Sequence, residues 1–318
     1  MLRLNNILPQ KEKHRKWAIG GITVLIASLL TIWGIYGIGE YGIALFILTP
    51  LLIGALPVIL YGQDKPLARR AAVVLGLETL MAFGAVLLLF AMEGGICIAM
   101  ALPFAILLCI IGSYLGSLLV SKKPGSAANS ALILLLAIPL IAFVEKDLAP
   151  ETTSVTTSIE INAAPAEVWR NVIEFPPLQE PEEFLFKAGI SYPTDAVIDG
   201  SGVGAVRHCN FTTGSFVEPI TQWDEPHVLA FGVESQPAPM TELSFWDIDA
   251  PHLHDFFVSE KGRFKLTALP GGKTLLEGTT WYHHNIKPAF YWKIWSDLII
   301  HKIHKRVLVH IKKNSENK

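Results

Sequence analysis

Around Glu145 the chain changes solvent. Before it run five apolar stretches almost free of charge, at about 17–38, 41–61, 71–92, 94–120 and 127–144, and after it the sequence reads as an ordinary water-soluble domain. Each stretch is near the roughly 20 residues a helix needs to cross about 30 Å of hydrocarbon. A backbone in hydrocarbon must satisfy its own hydrogen bonds, so this half is confined to an all-α transmembrane bundle. We divide the chain into a transmembrane region, 1–150, and a second domain, 151–318. The last stretch is the shortest and contains Pro139; losing it would place the second domain on the other side of the membrane.

Loop charges give an orientation. Arg3, Lys11, Lys13, Arg15 and Lys16 precede the first stretch, Lys65, Arg69 and Arg70 separate the second and third, and Lys122 and Lys123 separate the fourth and fifth. The alternate connections, around Glu40 and Glu93, carry no Lys or Arg, and Lys146 after the fifth stretch is balanced by Glu145 and Asp147. Positive loops stay in the cytoplasm, so the expected protein is a multi-pass cell-membrane protein with its amino terminus inside and its C-terminal domain outside. The first stretch is too long for a signal peptide, and no small-residue cleavage site follows it.

Glu78 is the sole acidic residue deep in a stretch. An ionised carboxylate there is costly unless paired or reached by water. It reads as a proton or cation site or, more simply, as a side chain that is protonated, hydrogen-bonded to a neighbouring helix, or reached by water from the Arg70 side. Small residues at many span positions allow close helix packing, and no internal repeat of the transporter kind is visible.

The formal net charge of -2 hides an asymmetry: 151–286 is acidic, whereas 287–318 holds eight Lys or Arg against Asp297 and Glu316. No recognition motif accompanies the basic tail, so no nucleic acid is expected as a partner. Cys97 and Cys109 lie inside spans and Cys209 is alone in the second domain, which excludes a disulfide within that domain. Gly200, Gly202 and Gly204 read as turn glycines, because no strand-to-helix junction surrounds them. Neither a dinucleotide loop nor a Gly-x-Ser-x-Gly elbow is present, and no cofactor is expected.

In the second domain, Val155, Thr157, Ile159 and Ile161 alternate as in a half-buried strand. Pro165 opens a helix with Val168, Trp169, Val172 and Ile173 on one face. A Pro- and Glu-rich segment, 174–187, suits a short second helix or a lid. From 194 to 285, runs rich in Val, Phe, Thr and Trp are punctuated by turn residues, the rhythm of an antiparallel sheet. Pro288 then opens a long helix with Trp292, Trp295, Ile299, Ile303 and Val307 as its apolar stripe and Asp297, His301 and Lys305 facing away.

This order is that of an α+β helix-grip domain, and the residues resemble the START-like, or SRPBCC, superfamily of polyketide cyclase/dehydrase and lipid-transport type. The resemblance rests on 158–169 (SIEINAAPAEVW), on Gly204-Ala-Val-Arg207 through 217–224 (VEPITQWD), and on 279–283 (TTWYH) into Tyr291-Trp292. It covers 153–313 and none of the spans. It implies a sheet curved around the terminal helix with a cavity between them, lined here by Phe264, Trp281, Tyr282, Trp292, Trp295 and Ile299. It also implies a hydrophobic small molecule or lipid as partner, and it leaves oligomeric state open. Three functions follow as expectations: a membrane-anchored binding or carrier domain first, a cyclase- or dehydratase-like enzyme second, and a ligand sensor coupled to the spans third.

Candidate chemistry is thin. Arg207 and Glu218 fall on adjacent strands, either inside the cavity as a polar pair or outside as a cross-strand ion pair, which is the commoner arrangement. His283 and His284 are neighbours on a strand and point to opposite faces, so either Trp281 with His283 or Tyr282 with His284 faces inward. These four are the catalytic candidates. His252 and His254 would share a side of an extended segment and form half a metal site, but no further ligands complete it. His301 and His304 also have a metal-binding spacing, on what reads as a polar flank. The apolar, aperiodic segment 235–255, with Phe245, Trp246 and Leu253, reads as a gate over the cavity or a loop that dips toward the bilayer.

Overall fold

The computed structural model describes residues 9, 11–63, 67–122, 124–145, 149–248 and 250–317. Arg3, Lys65, Lys123, Lys146 and Asp147, used above for the loop charges, lie outside them. The chain forms two compact units: 1–148 with 242–251 and 286–288, and 149–241 with 252–285 and 289–318.

The first unit is all α. Helix α1 (Glu12–Ile32) continues into a π-helical turn, Trp33–Ile38, and a second π-helical turn, Ala44–Leu48, leads into α2 (Thr49–Gly62). Then follow α3 (Arg69–Leu89), α4 (Gly95–Lys122) and α5 (Pro124–Glu145). Four segments, Glu12–Ile38, Ala44–Gly62, Arg69–Leu89 and Gly95–Ser121, are long and apolar enough to cross a bilayer. Asn129–Glu145 is apolar but shorter. The chain is a membrane protein.

Small residues set the spacing of these helices. A Cβ on Gly54 would lie 2.1 Å from the Cys109 carbonyl oxygen, and one on Gly112 would lie 2.2 Å from that of Leu51, so α2 and α4 meet backbone to backbone. Where lipid supplies no hydrophobic drive between helices, such contact is what packing attraction requires. Three buried hydroxyls are satisfied within their own helices, Thr23 donating to Ile19, Thr79 to Leu75 and Ser113 to Cys109, whereas those of Ser28 and Thr31 in α1 find no partner among the described residues. Glu145 is buried and accepts the backbone N–H groups of Ile43 and Ala44 at 2.9 and 3.3 Å, satisfying donors that the start of the second span leaves open.

The segment read as one gate loop is divided. Residues 242–251 belong to this first unit, where the Leu243 carbonyl accepts from Gly95 N–H at 2.8 Å and Glu242 takes the Cys97 thiol at 2.7 Å. Phe245 and Trp246 there are exposed, by 94% and 56%.

The second unit begins with β1 (Thr153–Ile161), whose alternating apolar residues face inward as their period requires. Helix α6 (Pro165–Ile173) buries Val168, Trp169 and Val172. In the Pro-rich segment, α7 (Phe184–Lys187) is a single turn. The sheet comprises β1, β2 (Pro193–Asp199), β3 (Val206–Phe211), β4 (Gly214–Asp224), β5 (Val228–Gly232), β6 (Phe257–Leu269) and β7 (Lys273–His284). Its order is β1-β7-β6-β5-β4-β3-β2, antiparallel at every junction. Gly200, Gly202 and Gly204 turn β2 into β3 at positive φ, which glycine adopts without strain.

Helix α8 (Ala289–Glu316) packs on β1, β7, β2 and α6. Ile161, Trp169, Leu229, Leu276, Leu308 and Ile311 belong to the core between helix and sheet. The architecture is α+β helix-grip.

Candidate functional site

The sheet does not close completely on α8. A cavity of about 140 Å³ separates them, walled mainly by Phe216, Phe231, Phe264, Ile299, Ile303 and Val307. A dry apolar cavity of about 150 Å³ is enough to take benzene, so this space admits a small ring or part of a larger apolar molecule. Its shape depends on Gly262: a Cβ there would come within 2.4 Å of the Phe231 ring, so only glycine lets that ring lie across β6.

A buried ion pair is set into this wall. Arg207 on β3 sits directly opposite Glu218 on β4, and the two form a buried ion pair that borders the cavity. The outer arrangement favoured from sequence does not occur. Strand alternation fixes the inner one, because Arg207 shares its face with Ala205 and Cys209, and Glu218 with Ile220, all buried. The guanidinium is caged: its Nε donates to the Ile173 carbonyl at 3.1 Å, and the rings of Phe175, Phe231 and Phe264 lie 5.5, 5.5 and 5.7 Å away.

Burial works against both charges. For Arg207 this is outweighed by Glu218 and Cys209, so it is held cationic. Burial pushes the Glu218 carboxyl above the usual carboxylate range while Arg207 pulls against it. The nearby Cys209 thiol is pushed up to about 12, chiefly by burial, which makes it a poor nucleophile.

His304 was placed on a polar flank by the sequence reading and instead faces the cavity. It is four residues from both Ile300 and Leu308, which are buried, and so it shares their face of α8. Its Nε2 lies 2.8 Å from the Thr280 hydroxyl and its Nδ1 3.1 Å from that of Thr157, which also meets His301 Nδ1 at 2.7 Å. Desolvation, then His301, push its pKa down to about 4. It is a neutral imidazole in an apolar wall, and the signal that locates it is the spacing of buried residues around it.

The remaining candidates divide. Phe264 and Ile299 line the cavity. Trp281 lies on the outer face of the sheet, beneath Lys261 Nζ at 5.1 Å and the Arg263 guanidinium at 5.3 Å. Tyr282 points inward, as strand alternation then requires, but packs with Val155 and Ile300 rather than bordering the cavity. Its hydroxyl donates to Asp297 at 2.7 Å, so Asp297 does not face away from the sheet as the sequence suggested. Trp292 is buried and Trp295 half-buried, both outside the cavity wall, because α8 borders it only from Ile299 onward.

His283 is on the outer face, its Nδ1 2.8 Å from Glu260, a hydrogen bond that helps hold that carboxyl below its ordinary range. His284 follows Tyr282 on the inner face, with ring centroids 6.3 Å apart. His252 is buried in the one-turn helix Pro251–Leu253 and His254 is exposed, so the extended segment that would have aligned them does not form. Leu253 is buried as well. Glu78 is exposed on α3.

The sequence did not single out Gln236. Its side chain donates to the Phe257 carbonyl at 2.5 Å and accepts from Ser259 N–H at 2.8 Å, pinning Pro237, Ala238 and Pro239 at the cavity wall. Residues 235–241 are therefore a fastened wall segment.

No family model and no curated protein matches this sequence. Among solved structures, truncated norcoclaurine synthase from Thalictrum flavum is 17% identical, matching 54% of this chain and 98% of its own with a TM-score of 0.34. The same enzyme in complex with dopamine and hydroxybenzaldehyde is 14% identical over 52% of this chain and 86% of its own, TM-score 0.32. A conserved protein of unknown function from Enterococcus faecalis is 18% identical over 54% and 75%, TM-score 0.30. Strand order and the gripped terminal helix describe the fold in this chain directly. The C-terminal half has the START-like helix-grip fold. In this START-like domain the Arg207–Glu218 pair and His304 stand as two polar stations in a wall built largely of aromatic and aliphatic side chains.

Proposed function

We propose that the START-like domain binds a small apolar molecule, or the apolar part of a lipid, and that the spans hold it at the bilayer where such ligands concentrate. The observation that carries this reading is the Arg207–Glu218 pair set into a wall of aromatic and aliphatic side chains. Ligand sites are mostly apolar with a few placed polar groups that fix orientation. A ligand hydroxyl or carbonyl turned to the pair would gain a charge-assisted hydrogen bond. Loop charge supports a cytoplasmic amino terminus and an extracytoplasmic START-like domain in the cell membrane.

A photoreactive fatty acid offered to the full chain in lipid nanodiscs tests the reading. Labelling of Phe231 or Ile303 is the expected result. Labelling confined to the spans contradicts it.

A second reading, a catalyst acting on an apolar substrate, draws on one observation. A neutral histidine, the state needed for a general base, borders the same cavity as an arginine able to polarise a carbonyl. In this reading His304 takes the role that the sequence offered to His283, which faces away.

A further inference from the structure

Helix α3 turns one continuous face outward: Arg70, Val74, Glu78, Met81, Ala82, Ala85 and Leu89 are all exposed. Glu78 lies nine residues from the start of this 21-residue helix, so at about 1.5 Å per residue it sits near the middle of a span. Among the described residues it has neither a hydrogen bond nor an ion pair. A carboxyl facing hydrocarbon at that depth needs a partner that bonds to it, and the described residues of its own unit offer none.

We propose that this face of α3 is an intramembrane contact between two copies of the chain, with Glu78 of each copy bonded to Glu78 of the other. Three observations select a second copy as the occupant. First, the cationic side chains of the described helices in this unit lie at helix ends, on Lys13, Arg15, Lys16, Arg69 and Arg70, so no span of a second copy offers a basic residue at that depth. Second, a protonated carboxyl carries one donor and an acceptor and is complementary to itself. A two-fold axis through the contact brings each residue against its equivalent, which makes the acid its own partner. Third, the turns after Glu78 are trimmed for close approach. Ala82 and Ala85, with short side chains, follow on the same face. Small residues flanking a hydrogen-bonding side chain are what associates helices in lipid.

The test is the subunit count of the full chain in liposomes, read by single-molecule photobleaching over a series of protein-to-lipid ratios. Wild type is expected to be a dimer. Glu78→Gln, whose amide is also self-complementary, should stay dimeric, and Glu78→Leu should raise the dissociation constant at least about tenfold, the effect of losing one net hydrogen bond at each end of a symmetric pair. Because Glu78 is exposed, the leucine variant should keep the wild-type circular dichroism melt, which separates lost contact from lost folding. Oxidation of Val74→Cys should yield a cross-linked dimer, whereas Leu136→Cys, exposed on α5, should not. A wild type that is monomeric at every dilution overturns the proposal, and so does a Glu78→Leu variant that dimerises as wild type does.

Discussion

Gly54 and Gly112 in the membrane unit and Gly262 in the START-like domain are all positions where a Cβ would collide, but they admit different things. The first two let backbones of α2 and α4 touch, and the third lets the Phe231 ring lie across a strand at the edge of a cavity. The membrane unit uses missing side chains to remove space. The domain uses large rings to frame it. Polar groups follow the same division, since Thr79 and Ser113 turn back on their own helices while Arg207, Glu218 and His304 border open volume.

That contrast can be broken at its most heavily charged point first. Arg207→Met alone leaves the Glu218 carboxylate buried without its partner, and the START-like domain should lose about 3 to 5 kcal/mol of stability in thermal unfolding. Combining it with Glu218→Leu should restore most of that stability while weakening capture of a ligand with a polar end. A double variant as unstable as the single would mean that the pair is held for packing and not as a polar station.

His304 sharpens the comparison by pH. Its folded pKa of about 4 lies below the ordinary 6.5, so the folded domain binds fewer protons than the unfolded chain between these values. Its contribution is complete above about pH 6.5 and is lost as pH falls toward about 4, a change of roughly 3 kcal/mol. His304→Gln, uncharged throughout, should flatten the unfolding midpoint across that window. An unchanged pH dependence would place the imidazole in water and not in the wall.

The glycines themselves give the smallest effect. Gly112→Val should cost the membrane unit roughly 1 to 3 kcal/mol by overpacking and leave ligand capture intact, read by the melting of each unit and by bound ligand. Gly262→Ala should do the reverse, displacing a ring toward the cavity and reducing capture.

Sequence alone reached the membrane half and the helix-grip order, because span length, strand alternation and the terminal amphipathic helix are all periodic signals. What it could not reach was the side of each polar residue. Arg207 and Glu218 read as an ordinary surface pair, since the cost of burying them is offset by the Ile173 carbonyl and three rings that are distant in sequence or on other strands. Trp281 looked like a cavity wall on hydrophobicity, yet stacking beneath Lys261 and Arg263 suits it to the outer face. His304 was hidden by its neighbours His301 and Lys305, which are exposed, although Ile300 and Leu308 mark its face as buried. The aperiodic segment 235–255 carried no signal for its division between the two units.

The most direct test of the central claim is native mass spectrometry of the full chain, released from nanodiscs and compared with Ile303→Trp, which fills the cavity from α8. Wild type should carry an apolar molecule that the tryptophan variant lacks, with both retaining the same annular lipids. Equal occupancy in the two would contradict a ligand held between the sheet and α8.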